Sequence, residues 1–179
     1  MALQADRHSP AEVSEPSGIA EAWARELPGL DLMPFLVSGG ILRLAQQVER
    51  AFTAVARSSG IGPGDLRVLL ALRRSAPDYA MSPTALFKRL MITSGAVSKQ
   101  VDRLAELGLV ERVSDPDVLR GVLIGLKPAG STIAEDAMRR ISTSFCGLEN
   151  LSAAEAGRAL DLLGLLQRTM DTAETAERA

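Results

Sequence analysis

The feature that most constrains this chain is the order of local signals between residues 82 and 130. Ser82-Pro83 starts a helix, because the serine hydroxyl caps the first turn and a proline is tolerated there. A polar break then supplies a new cap, Thr93 or Ser94, for a second helix. Gly108 ends that helix, since glycine adopts the left-handed backbone conformation without a Cβ penalty. This order predicts two short helices joined by a tight turn.

A hairpin with a long tip follows the second helix. Strand-like residues at 109–113 and 122–124 flank turn residues at 114–117, which include two aspartates and a proline. Helix, turn, helix and hairpin in this order predict a winged helix-turn-helix, in which the hairpin tip is the wing.

The second helix has an apolar and a polar face. Val97, Val101 and Leu104 recur at helical spacing, so short donors and long cations project from the opposite side. Such a face fits the major groove of DNA. A solvated surface helix is the alternative, but a wing that carries two arginines weakens it. The predicted DNA-binding residues are Thr93, Ser94, Ser98, Lys99, Gln100, Arg103, Arg112 and Arg120.

The distribution of charge favours the same partner, although the formal net charge is −2. Residues 32–130 carry thirteen Lys and Arg against eight acidic residues, whereas the segments on both sides are acidic. A basic centre between acidic ends is typical of a nucleic-acid-binding surface.

The rest of the chain is predicted to be helical. It divides into a disordered tail (1–18), N-terminal helices for dimerisation and ligand binding (19–58), the winged helix-turn-helix domain (59–130) and C-terminal dimerisation helices (131–179). Apolar spacing, caps and breaks at proline or glycine together predict helices at 19–26, 34–58, 66–74, 84–91 and 131–148. The predicted fold class is mainly α with a small β-hairpin wing: a winged helix-turn-helix plus a helical dimerisation layer.

The last predicted helix indicates a homodimer. Ser152 and Glu155 form a capping box that opens it, and residues 160–170 are rich in leucine. This apolar band is wider than one neighbouring helix covers, so we expect it to lie at a subunit interface.

Composition argues against several other classes of protein. The single histidine, His8, lies in the tail, so we expect no enzyme active site, no metal site and no cofactor. No apolar run reaches the length of a membrane span and no signal peptide is evident, which predicts a cytoplasmic protein without a membrane partner. Cys146 stands alone, and we interpret it as a small helix residue rather than a redox sensor.

The winged region resembles the MarR family of bacterial transcriptional regulators. The stretches that carry the resemblance are 93–99, 102–104, 108–112, 115–116, 120 and 126–130. The likeness extends over about residues 36–170, and residues 23–31 are similar to the extra N-terminal helix of the PecS-like, urate-responsive branch. It implies a homodimeric regulator, usually a repressor, that binds a pseudo-palindromic operator in double-stranded DNA and responds to a small ligand.

The wing tip departs from the family pattern, which commonly reads Asp-Pro-x-Asp-Arg-Arg. In the family, the last arginine enters the minor groove and the second acid helps to orient it. Here Val118 and Leu119 replace the second acid and the first arginine, while Arg120 is retained. Asp115 or Asp117 would then have to orient Arg120. In addition, a lysine replaces the usual capping threonine before Pro128, which weakens that cap without changing the fold.

The resemblance also implies a ligand site. In the urate-responsive branch a tryptophan, an acid and an arginine frame the ligand; Trp23 matches the first, but Arg67 stands at the acid position and Gln100 at the arginine position. The reversed charge implies a different, anionic ligand, a small aromatic carboxylate that pairs with Arg67 and Arg43 and stacks on Trp23. The alternative is that Trp23 only anchors its helix and Arg67 is a surface charge.

Two functions remain open at this point. The first is a ligand-responsive, sequence-specific DNA-binding regulator, a repressor released by its ligand. The second is a helical interaction module whose winged helix binds protein. The cations of the second helix and the wing favour the first.

Overall fold

Helices dominate the residues that the computed structural model describes, which are 16–90, 94–119 and 121–177. The elements are α1 (Pro16–Glu26), α2 (Met33–Ser58), α3 (Pro63–Arg73), β1 (Ala80–Met81), α4 (Pro83–Leu90), α5 (Ser94–Glu106), β2 (Val110–Ser114), β3 (Val122–Leu126), α6 (Pro128–Thr143), a 3-10 helix (Leu148–Asn150) and α7 (Ala153–Glu177). The predicted fold class, mainly α with a small wing, is confirmed. The chain divides into two compact units, the first ending at Arg50 and the second beginning at Ala51.

The first unit contains α1 and most of α2. The chain turns between them at Gly29, whose φ is +87°. The carboxylate of Asp31 then accepts the backbone N–H of Met33 at 3.0 Å and starts α2. Across this turn, the rings of Trp23 and Phe35 meet edge to face, with 6.4 Å between their centroids. Helix α1 begins at Pro16, three residues before the predicted start.

The core of the second unit is aliphatic. Helix α3 lies at its centre, because Leu66, Leu69 and Leu72 are fully buried. The other elements contribute further buried side chains: Leu86, Val97, Val101, Leu104, Ile124, Ala134 and Ala137. The prediction that Val97, Val101 and Leu104 face inward is confirmed.

The wing is part of a three-stranded antiparallel sheet with the order β1-β3-β2. Strands β2 and β3 pair from Val110 opposite Leu126 to Ser114 opposite Val122, as expected for a hairpin. Strand β1 pairs with β3 only through Ala80 and Met81. It was not predicted, because two residues are too few to show an alternating pattern.

The predicted helix at 131–148 is wrong at both ends. Helix α6 starts at Pro128 and stops at Thr143, and the chain then reverses through Gly147, whose φ is +85°. The carboxylate of Glu149 holds this reversal by accepting the N–H of Phe145 at 2.9 Å. Cys146 is therefore not a helix residue: it is exposed in the turn, with a φ of 48°.

The two predicted helix caps differ in outcome. Ser152 and Glu155 form the expected capping box at the start of α7, since each side chain hydrogen-bonds the backbone N–H of the other, at 3.3 and 2.9 Å. Lys127, at the N-cap of α6, makes no side-chain cap, and Pro128 still starts the helix.

Candidate nucleic-acid interface

Helix α5 presents one face to the core and the other outward. Val97 and Val101 are buried, while Ser98 and Lys99 are exposed. Helix α4, which precedes it, is capped as predicted, because the Ser82 hydroxyl accepts the N–H of Ala85 at 3.2 Å. The predicted site residue Thr93 and the side chain of Ser94 lie outside the described residues, as does Arg120.

Gly108 ends α5 in the predicted left-handed conformation, with a φ of +69°. Its N–H donates to the carbonyl of Ala105 at 2.9 Å, and the N–H of Leu109 donates to the carbonyl of Leu104 at 2.9 Å. These two bonds form a Schellman motif, which satisfies the last helical carbonyls. Strand β2 consequently begins two residues after Gly108, at Val110.

Arg103 is tied to α3 by a buried carboxylate. Its Nε donates to Oδ2 of Asp65 at 2.9 Å and its Nη2 donates to Oδ1 at 2.5 Å. Asp65 is 1% exposed, and its Oδ2 also accepts the N–H of Gly62 at 3.1 Å. The hydrogen bonds to Asp65 raise the pKa of Arg103 above its ordinary value. Sequence reasoning missed this pair: an acid three residues after Gly62 indicates a helix cap, but nothing local points to Arg103.

Gln100 turns towards α3. Its side chain packs so closely on Gly64 that a Cβ at that position would collide with the amide nitrogen. Within the described part of the chain, its Oε1 is buried without a hydrogen-bond partner. Gln100 therefore lies at the inner border of the outward face rather than on it.

The wing and α5 are joined by an exposed ion pair. Nη2 of Arg112 donates to Oδ1 of Asp102 at 2.7 Å. At the tip, the Asp115 carboxylate accepts the N–H of Asp117 at 2.9 Å, and the N–H of Asp115 donates to the carbonyl of Gly121 at 2.9 Å. Leu119, which replaces an arginine of the family pattern, is 96% exposed.

The three predicted ligand residues have different surroundings. Trp23 contacts Phe35, and Arg43 is exposed; both belong to the first unit. Arg67 belongs to the second unit, where its guanidinium lies 4.7 Å from the centroid of the Phe52 ring. That distance is within the range of a cation–π interaction.

Neither a membrane span nor a metal site occurs in the described part of the chain. None of the helices in residues 16–90, 94–119 and 121–177 is long and apolar enough to cross a membrane. Among the same residues, no group of three His, Cys, Asp or Glu side chains is placed to hold a metal ion.

Sequence comparison finds relatives of known type. A family profile described as "MarR family" matches residues 59–121. The chain is 32% identical over 120 residues to the HTH-type transcriptional regulator PecS of Dickeya dadantii, covering 67% of this chain and 72% of that protein. It is 30% identical over 100 residues to the multiple antibiotic resistance protein MarR of Salmonella typhimurium, covering 56% of this chain and 67% of that protein.

Solved structures that resemble this chain include further MarR proteins. A mutant MarR from E. coli, complexed with operator DNA, superposes with a TM-score of 0.63 and 28% identity, covering 76% of this chain and 99% of that one. Sco5413, a MarR family transcriptional regulator from Streptomyces coelicolor, gives a TM-score of 0.66 and 25% identity, covering 78% and 97%.

Proposed function

Because this chain belongs to the MarR family of transcriptional regulators, we propose that it is a sequence-specific DNA-binding repressor that acts as a homodimer. We propose further that a small anionic aromatic ligand releases it from its operator. The observation that carries the DNA-binding role is the outward face of α5, where Ser98 and Lys99 are exposed beside a wing that carries Arg112.

In this proposal α5 enters the major groove and the wing contacts the flanking backbone. Ser98 offers a short donor and acceptor to base edges, while Lys99 reaches a phosphate or a base. Arg112 is held beside α5 by its ion pair with Asp102 and supplies a further cation. Thr93, Ser94, Arg103 and Arg120 complete the proposed set, together with Gln100 at the inner border of this face. A two-fold dimer requires a pseudo-palindrome with half-sites about one helical turn apart.

The apolar surface of α7 supports the homodimer. Five large side chains of this helix are more than half exposed: Leu160, Leu162, Leu163, Leu165 and Met170. So many large apolar side chains exposed along one helix are unusual on a monomer and favour a subunit interface. A second copy of the chain would bury the same helix by symmetry.

The ligand is proposed from Arg67, Trp23 and Arg43. An arginine at a position where the urate-responsive branch has an acid favours an anion, and the single tryptophan offers an aromatic surface. To release DNA, the ligand needs to favour the released state by only about 1–3 kcal/mol, or 5- to 150-fold in operator affinity.

Selection from random DNA tests the central claim. We expect the purified protein to enrich one pseudo-palindrome and to bind it in a salt-dependent manner. Failure to enrich any sequence would favour the alternative, a winged helix that binds protein. With the operator in hand, indole, phenolic and benzoic acids can be screened for a change in Trp23 fluorescence together with DNA release. A releasing acid that acts equally on Arg67→Ala and Trp23→Phe would contradict the ligand site.

A further inference from the structure

The Asp65–Arg103 pair joins a buried carboxylate to a half-exposed guanidinium. Asp65 accepts three hydrogen bonds, two from Arg103 and one from the backbone of Gly62. The carboxylate is therefore fixed at the start of α3, while the Arg103 side chain keeps 46% of its surface exposed. A flexible side chain held at two atoms by a fixed partner has one orientation.

The outer edge of Arg103 remains available for another acceptor. A guanidinium carries five N–H groups in a plane, and two of them are donated to Asp65. The other three face away from the carboxylate. They lie on the same helix as Ser98 and Lys99, which are exposed. A planar donor edge of this kind matches the oxygens of a phosphate.

We propose that Asp65 is a positioning residue for operator binding, which acts by holding Arg103 so that its outer N–H groups meet a DNA phosphate. This inference rests on the proposed function. Asp65 itself is too deeply buried to touch DNA, and its contribution passes through Arg103.

The sign of the expected effect separates positioning from simple electrostatics. Asp65→Asn removes a negative charge close to the proposed DNA face, so long-range attraction alone would strengthen binding. Positioning requires the opposite, because the asparagine side chain presents one oxygen and one NH2 group, so one N–H group of the Arg103 fork faces a donor instead of a second oxygen. Arg103 then loses its fixed orientation.

The experiment measures operator affinity across a series of salt concentrations for the full chain and for Asp65→Asn. We expect binding to weaken on the order of tenfold, and the slope of log affinity against log salt to become shallower by about 0.9 for each phosphate that the variant no longer binds. Thermal unfolding of both proteins identifies the temperature range in which each is folded. A merely structural role would lower the folded fraction without changing the salt slope.

Further variants complete the test. Arg103→Lys keeps the charge but loses the fork, so its loss of operator affinity should resemble that of Asp65→Asn. Adding Asp65→Asn to Arg103→Lys should then weaken binding no further. Glu135→Gln is the matched control, because Arg73 and Glu135 form a similar pair between α3 and α6, with Nε to Oε1 at 3.0 Å, in which neither residue belongs to α5. We expect that control to bind the operator as the unchanged protein does.

Equal or tighter binding by Asp65→Asn, or weaker binding with an unchanged slope, would overturn the role of Asp65. Additive losses in the double variant would overturn it too. These results differ from failure of the proposed function, in which the unchanged protein selects no operator at all.

Discussion

Arg112 on the first strand of the wing donates to the carboxylate of Asp102 on α5, with 2.7 Å between Nη2 and Oδ1. Both side chains are about half exposed, in contrast to the Asp65–Arg103 pair, whose carboxylate is buried. The two aspartates lie near the same proposed DNA face, yet their surroundings give them opposite expected effects on binding.

Replacing Asp102 with asparagine should strengthen operator binding. The change removes an exposed negative charge and frees Arg112 for a phosphate, and it should alter the free energy of unfolding by less than about 1 kcal/mol, as is usual for exposed ion pairs. Binding titrations and urea unfolding check this. Weaker binding by Asp102→Asn would mean that Arg112 orients the wing through Asp102 rather than contacting DNA.

Lys99→Ala should weaken operator binding without affecting stability, because the side chain is exposed on α5. The salt slope should become shallower by about 0.9 if Lys99 binds one phosphate. Arg139→Ala is the control: it removes the same charge from α6, where Arg139 is paired with Glu135 and Asp136. Equal losses of affinity in the two variants would show that binding depends on total charge and not on the face of α5.

A charge placed among the exposed apolar side chains of α7 should separate the subunits of the proposed homodimer. Leu165→Glu introduces a carboxylate at a side chain that is more than half exposed, so the isolated chain should fold while the proposed dimer dissociates. Sedimentation velocity measures the change, and Gln167→Lys, an exposed position of the same helix, is the control. A Leu165→Glu protein that stayed dimeric would place the interface elsewhere.

Gly130→Ala should destabilise the second unit by about 1–3 kcal/mol. A Cβ there would collide with the carbonyl oxygen of Leu109, which also accepts the N–H of Lys127 at 3.1 Å. Gly157→Ala is the matched control, because a Cβ at Gly157 meets nothing within 4 Å and should raise helix stability by about 0.5–1 kcal/mol. Urea unfolding measures the free energy of unfolding of both variants. A loss for Gly130→Ala beside a gain for Gly157→Ala would show that the collision at Gly130 outweighs the helix propensity of alanine.

Acid should weaken the start of α7. Hydrogen bonds from Ser152 hold the pKa of Glu155 below its ordinary value of 4.5. The folded state therefore binds this proton less readily than the unfolded chain, and the stabilisation is complete above about pH 4.5 and is lost as the pH falls through the lower, folded-state pKa. Glu155→Gln should remove this part of the pH dependence. Identical acid curves for the two proteins would show that the capping box does not contribute.

Local signals were sufficient for much of the fold. Val97 and Gly108 each act on neighbours within a few residues, so the two-faced α5 and its end were predictable from spacing and backbone preference. The end of α6 was not, because Phe145 continues the apolar pattern of the helix while Glu149 and Gly147 close a reversal beyond it.

The candidate site was less predictable than the fold. Exposure of Ser98 and Lys99 follows from helix periodicity. The link between Asp65 and Arg103 joins residues 38 positions apart, and only tertiary packing brings α3 against α5. Sequence patterns identify which side chains leave the core, but they do not identify which partner each one meets.

The sheet order supports the wing at one end only, because a third strand pairs with the hairpin near its base and not near its tip. Strand β1 reaches β3 only at Ile124 and Gly125, near the body of the unit, whereas the pair of Ser114 and Val122 lies towards the tip, in the two-stranded part. Two strands resist bending less than three do. The root of the wing is therefore held more firmly than its tip, so that in the proposed DNA complex the tip would adjust to the groove while α5, the proposed recognition helix, keeps its place.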